Sequence, residues 1–495
     1  MDIAKRGIQY FFDGTPFKII YLILTLLSFN SFTAHTTYMT MFAYVVAALG
    51  GIVLLYRIIF LKRFIRTPNL LFLGLFLVSF VVSALINYKY GIMENVQGFM
   101  WMALQFCVLY ACDDTKDPAF YKKEFHILSI LLIAYLLIGV FVSYYFLITG
   151  QGGAFERTEG VLYGFLWGRL WGMFTEPNNA ATTMCVGILL CFYFFKICHK
   201  IWIKIGCWVL IALYSSYIML SDSRTGLMCL TIESIVMAYL LIINPNKRNW
   251  KKLSTQAVAI GIAIIMGLAC FFGIQFAKKG YNAIQTAVST SQSQNITEDP
   301  NNSDGITHHR PDLTIGREQD LENDISNRRF ALWESGVELF KASPIFGVGF
   351  RNIVDAAKDK VPDTYIINND QTEFASFHSM FVDILASQGI IGVVIIAPFI
   401  VLTLVWLFAL IVKKLKKDYL YVITLFATIM SIGASAFVSP DVFYVNTQNA
   451  FIFWTFLGYS LHIANKKRQE KMALKEKAKQ LPNSDMQEQV KEEVN

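Results

Sequence analysis

Apolar residues along this chain gather into blocks of about twenty, separated by short polar stretches. That is the length a helix needs to cross the hydrocarbon core of a bilayer. Each block must be helical, because lipid offers the backbone no hydrogen-bond partner. Twelve blocks stand out, centred near residues 25, 49, 78, 105, 136, 188, 213, 234, 264, 400, 428 and 456. The pattern predicts an all-α, polytopic integral membrane protein in four parts. Nine spans fall within residues 1–276, an outer loop covers 277–377, three spans occupy 378–464, and a charged tail runs over 465–495. The first block, 17–34, runs directly into the second, so it is expected to be a retained span and not a cleaved signal.

The long loop has two textures. Residues 289–324 are rich in Ser, Asn, Asp and Gln and poor in apolar side chains, which predicts a mobile segment. Beyond it, Phe330, Trp333, Val337 and Phe340 recur at helical spacing and predict an amphipathic helix near 327–342. Ser343-Pro344 should end that helix, and Gly347-Val348-Gly349 should form a tight turn.

Charge then orients the spans. Lysines and arginines crowd alternate loops, among them Lys62, Arg63 and Arg66, then Lys247, Arg248, Lys251 and Lys252, then Lys413, Lys414, Lys416 and Lys417. The intervening short loops carry few. By the positive-inside rule both termini are cytoplasmic and the long loop is extracytoplasmic, in the plasma membrane. The net charge of +7 is therefore a topology signal, with no nucleic-acid partner implied. Composition agrees: 16% of residues are charged, against about a quarter in soluble domains. The eight cysteines lie in or beside apolar blocks without a C-x-x-C pair, so they read as small buried hydrophobes.

Ionisable residues at the membrane boundary are the candidates for chemistry. Arg169 precedes the sixth span, Arg224 sits in the short Ser221–Gly226 hinge, and Arg328 and Arg329 open the loop helix. Two cations at a helix N-terminus oppose its dipole unless an anion joins them, and such sites suit phosphate. Equally, an outer arginine can anchor a lipid headgroup or pair with a carboxylate: Asp222 with Arg224, Glu334 or Glu338 with the loop arginines. His378, where the loop re-enters the membrane, can exchange protons near neutral pH or serve structurally. Glu233, inside the eighth span, is either a buried partner or a proton-relay group. His308-His309 lacks further ligands at metal-binding spacing. No Walker loop, dinucleotide fingerprint or paired acidic motif is present. A bound diphosphate would have to be neutralised by arginines, without a metal or other cofactor.

Five motifs in order carry a resemblance. Arg169 with Gly172 and Glu176-Pro-Asn-Asn-Ala180, then Ser223-Arg-Thr-Gly226, Arg328-Arg-Phe-Ala-Leu-Trp333, Pro344-Ile-Phe-Gly-Val-Gly349, and His378 with Gly389-Ile-Ile-Gly392 resemble the O-antigen ligase and polymerase superfamily. Ser379 stands where family members often carry Asn after this histidine. The resemblance implies a glycosyltransferase whose donor is an undecaprenyl-pyrophosphate-linked oligosaccharide. Carried over by motif, Arg169 and Arg224 would hold the diphosphate, Arg328 or Arg329 would close from the loop, and His378 would take the proton of an attacking sugar hydroxyl. Glu176, Asn178 and Asp222 are candidates for supporting contacts. The expected product is a capsule or exopolysaccharide made by a polymerase, with a ligase as the alternative. Membrane lipid, a flippase and a chain-length regulator would be the partners. A transporter, the rival class, would show repeated halves and broken helices at mid-membrane; no repeat relates the first six spans to the last six.

Overall fold

The computed structural model describes residues 14–60, 66–155, 160–246, 250–296, 313–316, 328–369, 374–413, 415 and 418–480, without the side chains of 60, 291–296 and 477–480. The chain is predominantly helical. Helices α1 (Thr15–Ser28), α2 (Thr37–Phe60), α3 (Leu70–Ile86), α4 (Met93–Leu104) and α5 (Pro118–Thr149) come first. A small antiparallel sheet follows, of strands β1 (Gly152–Phe155), β2 (Val161–Leu166) and β3 (Arg169–Gly172). Then come α6 (Pro177–Ile197), α7 (Ile201–Leu220), α8 (Arg224–Ile242) and α9 (Leu253–Ile296). The loop helices α10 (Arg329–Ala342) and α11 (Ile353–Lys360) precede α12 (Met380–Ile411), α13 (Tyr419–Ser435) and α14 (Gln448–Gln480). Each expected span centre falls inside a helix or, at residue 105, at the first residue of the π-turn Gln105–Tyr110 that continues α4. Among the described residues, seven helices are long and apolar enough to cross a membrane: α2, α5, α6, α7, α8, α9 and α12. The protein is a multi-pass membrane protein.

Burial orders these helices from centre to rim. Two thirds (67%) of the apolar window of α6 is buried, against 17% for α9. Helix α6 is surrounded by α7, α8 and α13, whereas α9 leans mainly on α8 and turns Val258, Ile265 and Phe272 outward. An exposed apolar face on a spanning helix meets lipid, so α9 is a rim helix.

Besides the count, seven long apolar helices among the described residues where twelve spans were expected, two features depart from the sequence-based expectation. The strands were not foreseen; they are four to six residues long, too short to show the alternation that marks a strand. Parts of the segment expected to be mobile are ordered. Helix α9 continues to Ile296, because Ser, Gln and Thr are neutral in a helix once a long apolar helix has nucleated it. Residues 313–316 are held against α9 by Asn282: its amide donates to the Ile315 carbonyl (2.6 Å) and accepts from the Ile315 N–H (2.8 Å). Leu313 and Ile315 are buried there.

Helix α12 is broken at Gly389, whose φ of 61° no side chain adopts easily. The 344–349 segment enters the break. Pro344 and Ile345 carbonyls accept from Ile390 and Ile391 N–H, while Val348 and Gly349 N–H donate to Ala386 and Ser387 carbonyls. A Cβ at Gly347 would lie 2.4 Å from the Ser387 carbonyl carbon, so glycine is required for this approach. Ser83 and Asn87 of and beside α3 complete the clamp by donating to the Ser387 and Gly347 carbonyls.

At the other end of the bundle lies a closed polar knot. Lys18 pairs with Glu124 at 2.6 Å, both side chains at most 2% exposed. Thr15 and Tyr459 hydroxyls donate to the same carboxylate, and the Lys18 ammonium stands over the Tyr459 ring at 4.8 Å. Beside it, Arg57 donates to the Cys107, Val108 and Ala111 carbonyls, satisfying the C-terminal end of the π-turn. All eight cysteines are free.

Candidate functional site

A cleft of about 410 Å³ opens where three pieces of chain meet: the start of α6, the loop side with Arg328, Arg329 and His378, and the connection between α13 and α14. Its size is that of a small-ligand site.

The α6 wall begins with a cap. Glu176 accepts from the backbone N–H of Asn178 (3.0 Å) and Asn179 (2.5 Å), with Pro177 in the first turn. A carboxylate there satisfies two orphan donors and complements the helix dipole. Glu176 also accepts from the Asn178 amide at 2.7 Å, which fixes which way that amide faces. The Asn178 carbonyl then accepts from Arg169 (3.2 Å) and from the Ser223 hydroxyl (3.0 Å). One asparagine thus ties β3, α6 and the α7–α8 turn together. Arg169 itself is buried behind this wall. Its Nε donates to the Ser221 carbonyl at 3.0 Å and its guanidinium lies 5.6 Å from the Trp171 ring centre. Ser223 caps α8, so Arg224 is the first residue of that helix and its neighbour Thr225 reaches the cleft.

The loop wall brings both arginines to the opening. Arg328 adopts a left-handed conformation (φ 64°) as the cap of α10 and donates to the Tyr365 hydroxyl at 3.2 Å. His378 is also left-handed (φ 52°), and pins on both sides hold it there. The Phe377 N–H donates to the buried Asp383 carboxylate (2.8 Å), and the Met380 N–H to the Ala436 carbonyl (2.9 Å). Phe374 meets the imidazole edge-on, 5.7 Å between ring centres. Burial and the charge of Arg329 lower the His378 pKa to about 4. The ring is therefore neutral at physiological pH and free to accept a proton.

The third wall was not anticipated. Asp441, in Ser439-Pro440-Asp441, is buried and lines the cleft. It accepts from the Ser435 hydroxyl (2.6 Å) and the Ser439 hydroxyl (2.9 Å), and burial raises its pKa to about 6. Its one sequence signal is that Ser439-Pro440-Asp441 interrupts the apolar residues between the last two expected spans.

Of the residues singled out in sequence, Glu176, Asn178, Arg328, Arg329 and His378 line one cleft. Arg169 reaches its margin through Asn178, and Arg224 is the sequence neighbour of the lining residue Thr225. Asp222, with a left-handed φ of 46°, pairs with Lys278 of α9 at 2.7 Å. Glu338 pairs with Lys341. Glu233 is buried in α8, and among the described residues neither of its oxygens has a hydrogen-bond partner. His308 and His309 lie outside the described residues.

No curated protein matches the chain. Residues 208–397 match the O-antigen ligase family, a stretch holding Arg224, Arg328, Arg329 and His378 together with the Gly347 and Gly389 clamp. That domain, residues 208–397, carries the likeness to the O-antigen ligase and polymerase superfamily.

Proposed function

We propose that the protein is a polysaccharide polymerase that transfers an undecaprenyl-pyrophosphate-linked glycan onto a sugar hydroxyl of a second lipid-linked repeat unit, at the extracytoplasmic face. The observation that carries this reading is the meeting of Arg328, Arg329 and His378 on one cleft. In the reaction, the acceptor oxygen bonds to the anomeric carbon as the bond from that carbon to the pyrophosphate oxygen breaks. The hydroxyl proton passes to neutral His378, and both bonding electrons leave with undecaprenyl pyrophosphate. Single displacement inverts the anomeric carbon.

Charge growing on the leaving diphosphate faces Arg328 and Arg329, whose guanidinium groups stabilise it. This is metal-independent chemistry. The donor also tunes the base: burial is the larger cause of the low His378 pKa and the Arg329 charge the smaller, and a diphosphate against Arg329 offsets that smaller part, which makes the imidazole a stronger base. Arg169 acts through Asn178, holding the wall against which the donor sits, and Arg224 supports the same wall. The family match favours a ligase as the second reading: the same steps with a lipid, protein or wall polymer as acceptor.

Purified protein given lipid-linked repeat units in detergent should lengthen the glycan, with divalent metal chelated throughout. Arg329→Ala should lower turnover by about 10²–10³-fold. Lengthening by that variant at the wild-type rate would remove the arginine from the site. Transfer to an added non-repeat acceptor without lengthening would select the ligase reading.

A further inference from the structure

A second hollow, of about 430 Å³, lies between the far ends of α12 and α14. Both helices start beside the cleft, at Met380 and Gln448, and at 1.5 Å per residue the hollow sits roughly 25–40 Å away from it along α14. On α14 it is lined by Ala464, Arg468, Lys471, Met472 and Lys475, one stripe at helical spacing; on α12 by Val405, Trp406, Ala409 and Lys413.

Each stripe changes from apolar to cationic in the same direction. Val405, Trp406 and Ala409 make an apolar floor, and four cations stand at its mouth. Among the described residues no carboxylate lines it. The nearby Glu470 is engaged with Lys467 at 2.8 Å. The Arg468 guanidinium lies over the Trp406 ring at 5.4 Å, which positions its charge at the rim. Burial and the neighbouring ammoniums of Lys471 and Lys467 pull the Lys413 pKa below its usual range, as expected where like charges share a partly enclosed wedge. An anion with an apolar tail satisfies both parts of this surface together: the head relieves the crowding and the tail covers the floor.

We propose that this groove binds an anionic diacyl phospholipid of the phosphatidylglycerol type, with its phosphate among Lys413, Arg468 and Lys471 and one acyl chain along Val405, Trp406 and Ala409. Basic hollows between spanning helices at the membrane boundary hold such headgroups. The site is separate from the glycan-transfer reading and does not depend on it.

The test uses the purified full chain and native mass spectrometry after incubation with phosphatidylglycerol, phosphatidylcholine or inorganic phosphate. Phosphatidylglycerol should be retained about tenfold more than phosphatidylcholine, and excess inorganic phosphate should not displace it. The triple variant Lys413→Gln, Arg468→Gln, Lys471→Gln should lose that preference. Because removing cations can disturb insertion, Ala409→Trp offers an independent arm: it fills the floor, keeps every charge, and should also release the lipid. Equal retention of the two lipids, displacement by phosphate alone, or undiminished retention by both variants would overturn the site.

Discussion

The knot around Lys18 and the cleft around His378 are built from similar groups, yet they differ in what is left open. In the knot, one carboxylate receives an ammonium and two hydroxyls, and both members of the pair are at most 2% exposed. No room remains. In the cleft, two arginines, a histidine and two carboxyls border about 410 Å³ of open space. A buried charge is therefore weak evidence of a site. What separates structure from function is whether the protein itself fills the space between the charges.

The contrast can be broken by substitution. The largest effect expected is in the cleft: His378→Ala should lower glycan transfer by about 10²–10⁴-fold while the thermal midpoint of the detergent-purified protein stays unchanged. The knot should respond in the opposite sense. Glu124→Ala strands the Lys18 charge and should destabilise the fold by about 3–5 kcal/mol, read as a fall in that midpoint; an unaltered midpoint would mean that the knot is not closed. Asn178→Ala lies between the two, since it removes the shared acceptor of Arg169 and Ser223. It should cost about 1–3 kcal/mol in stability and also lower turnover, so a change in one readout without the other would show which job the side chain does.

Titration sharpens the comparison further. Between pH 7 and 5, Asp441 takes up its proton around pH 6 while His378 stays neutral until about pH 4. A decline in activity across the upper window belongs to Asp441, and Asp441→Asn should flatten it; a decline nearer pH 4 belongs to His378. The stability terms have opposite signs. The raised Asp441 pKa favours the fold below its ordinary 3.8, an advantage lost as pH rises through about 6. The lowered His378 pKa favours the fold above 6.5, and that advantage is lost as pH falls through about 4. The smallest effect expected is from Asp222→Asn, which breaks a half-buried pair with Lys278 and should cost about 1 kcal/mol or less by thermal unfolding.

How much of this could be read in the chain depends on the range of the interaction that sets it. The spanning helices and α10 are written in local periodicity, so Phe330, Trp333, Val337 and Phe340 marked the loop helix to within a turn. Arg169 was singled out as a cation at the membrane boundary, just before the sixth expected span. Its burial was not legible, since that depends on Ser221 and Asn178 in separate elements. Asp441 follows His378 by two helices and enters the cleft through tertiary packing alone, and nothing near it in sequence hints at the histidine. The polar end of α9 misled because weak apolar character was read as disorder, although a helix already started needs little more than neutral propensity to continue.

The break in α12 also decides how the loop helix is held. Helix α10 ends at Ala342, and two residues later the chain is bonded backbone to backbone into the gap at Gly389. One end of α10 is thus moored to a membrane helix, and its 14 residues reach out roughly 21 Å from that mooring. Along its length α10 is held as well: Leu332, Ser335, Gly336 and Leu339 are buried, and a Cβ at Gly336 would lie 2.3 Å from Val382 of α12. Arg328 and Arg329 at its far end are thus set in place twice over, by the mooring at Gly389 and by the packing of α10 against α12.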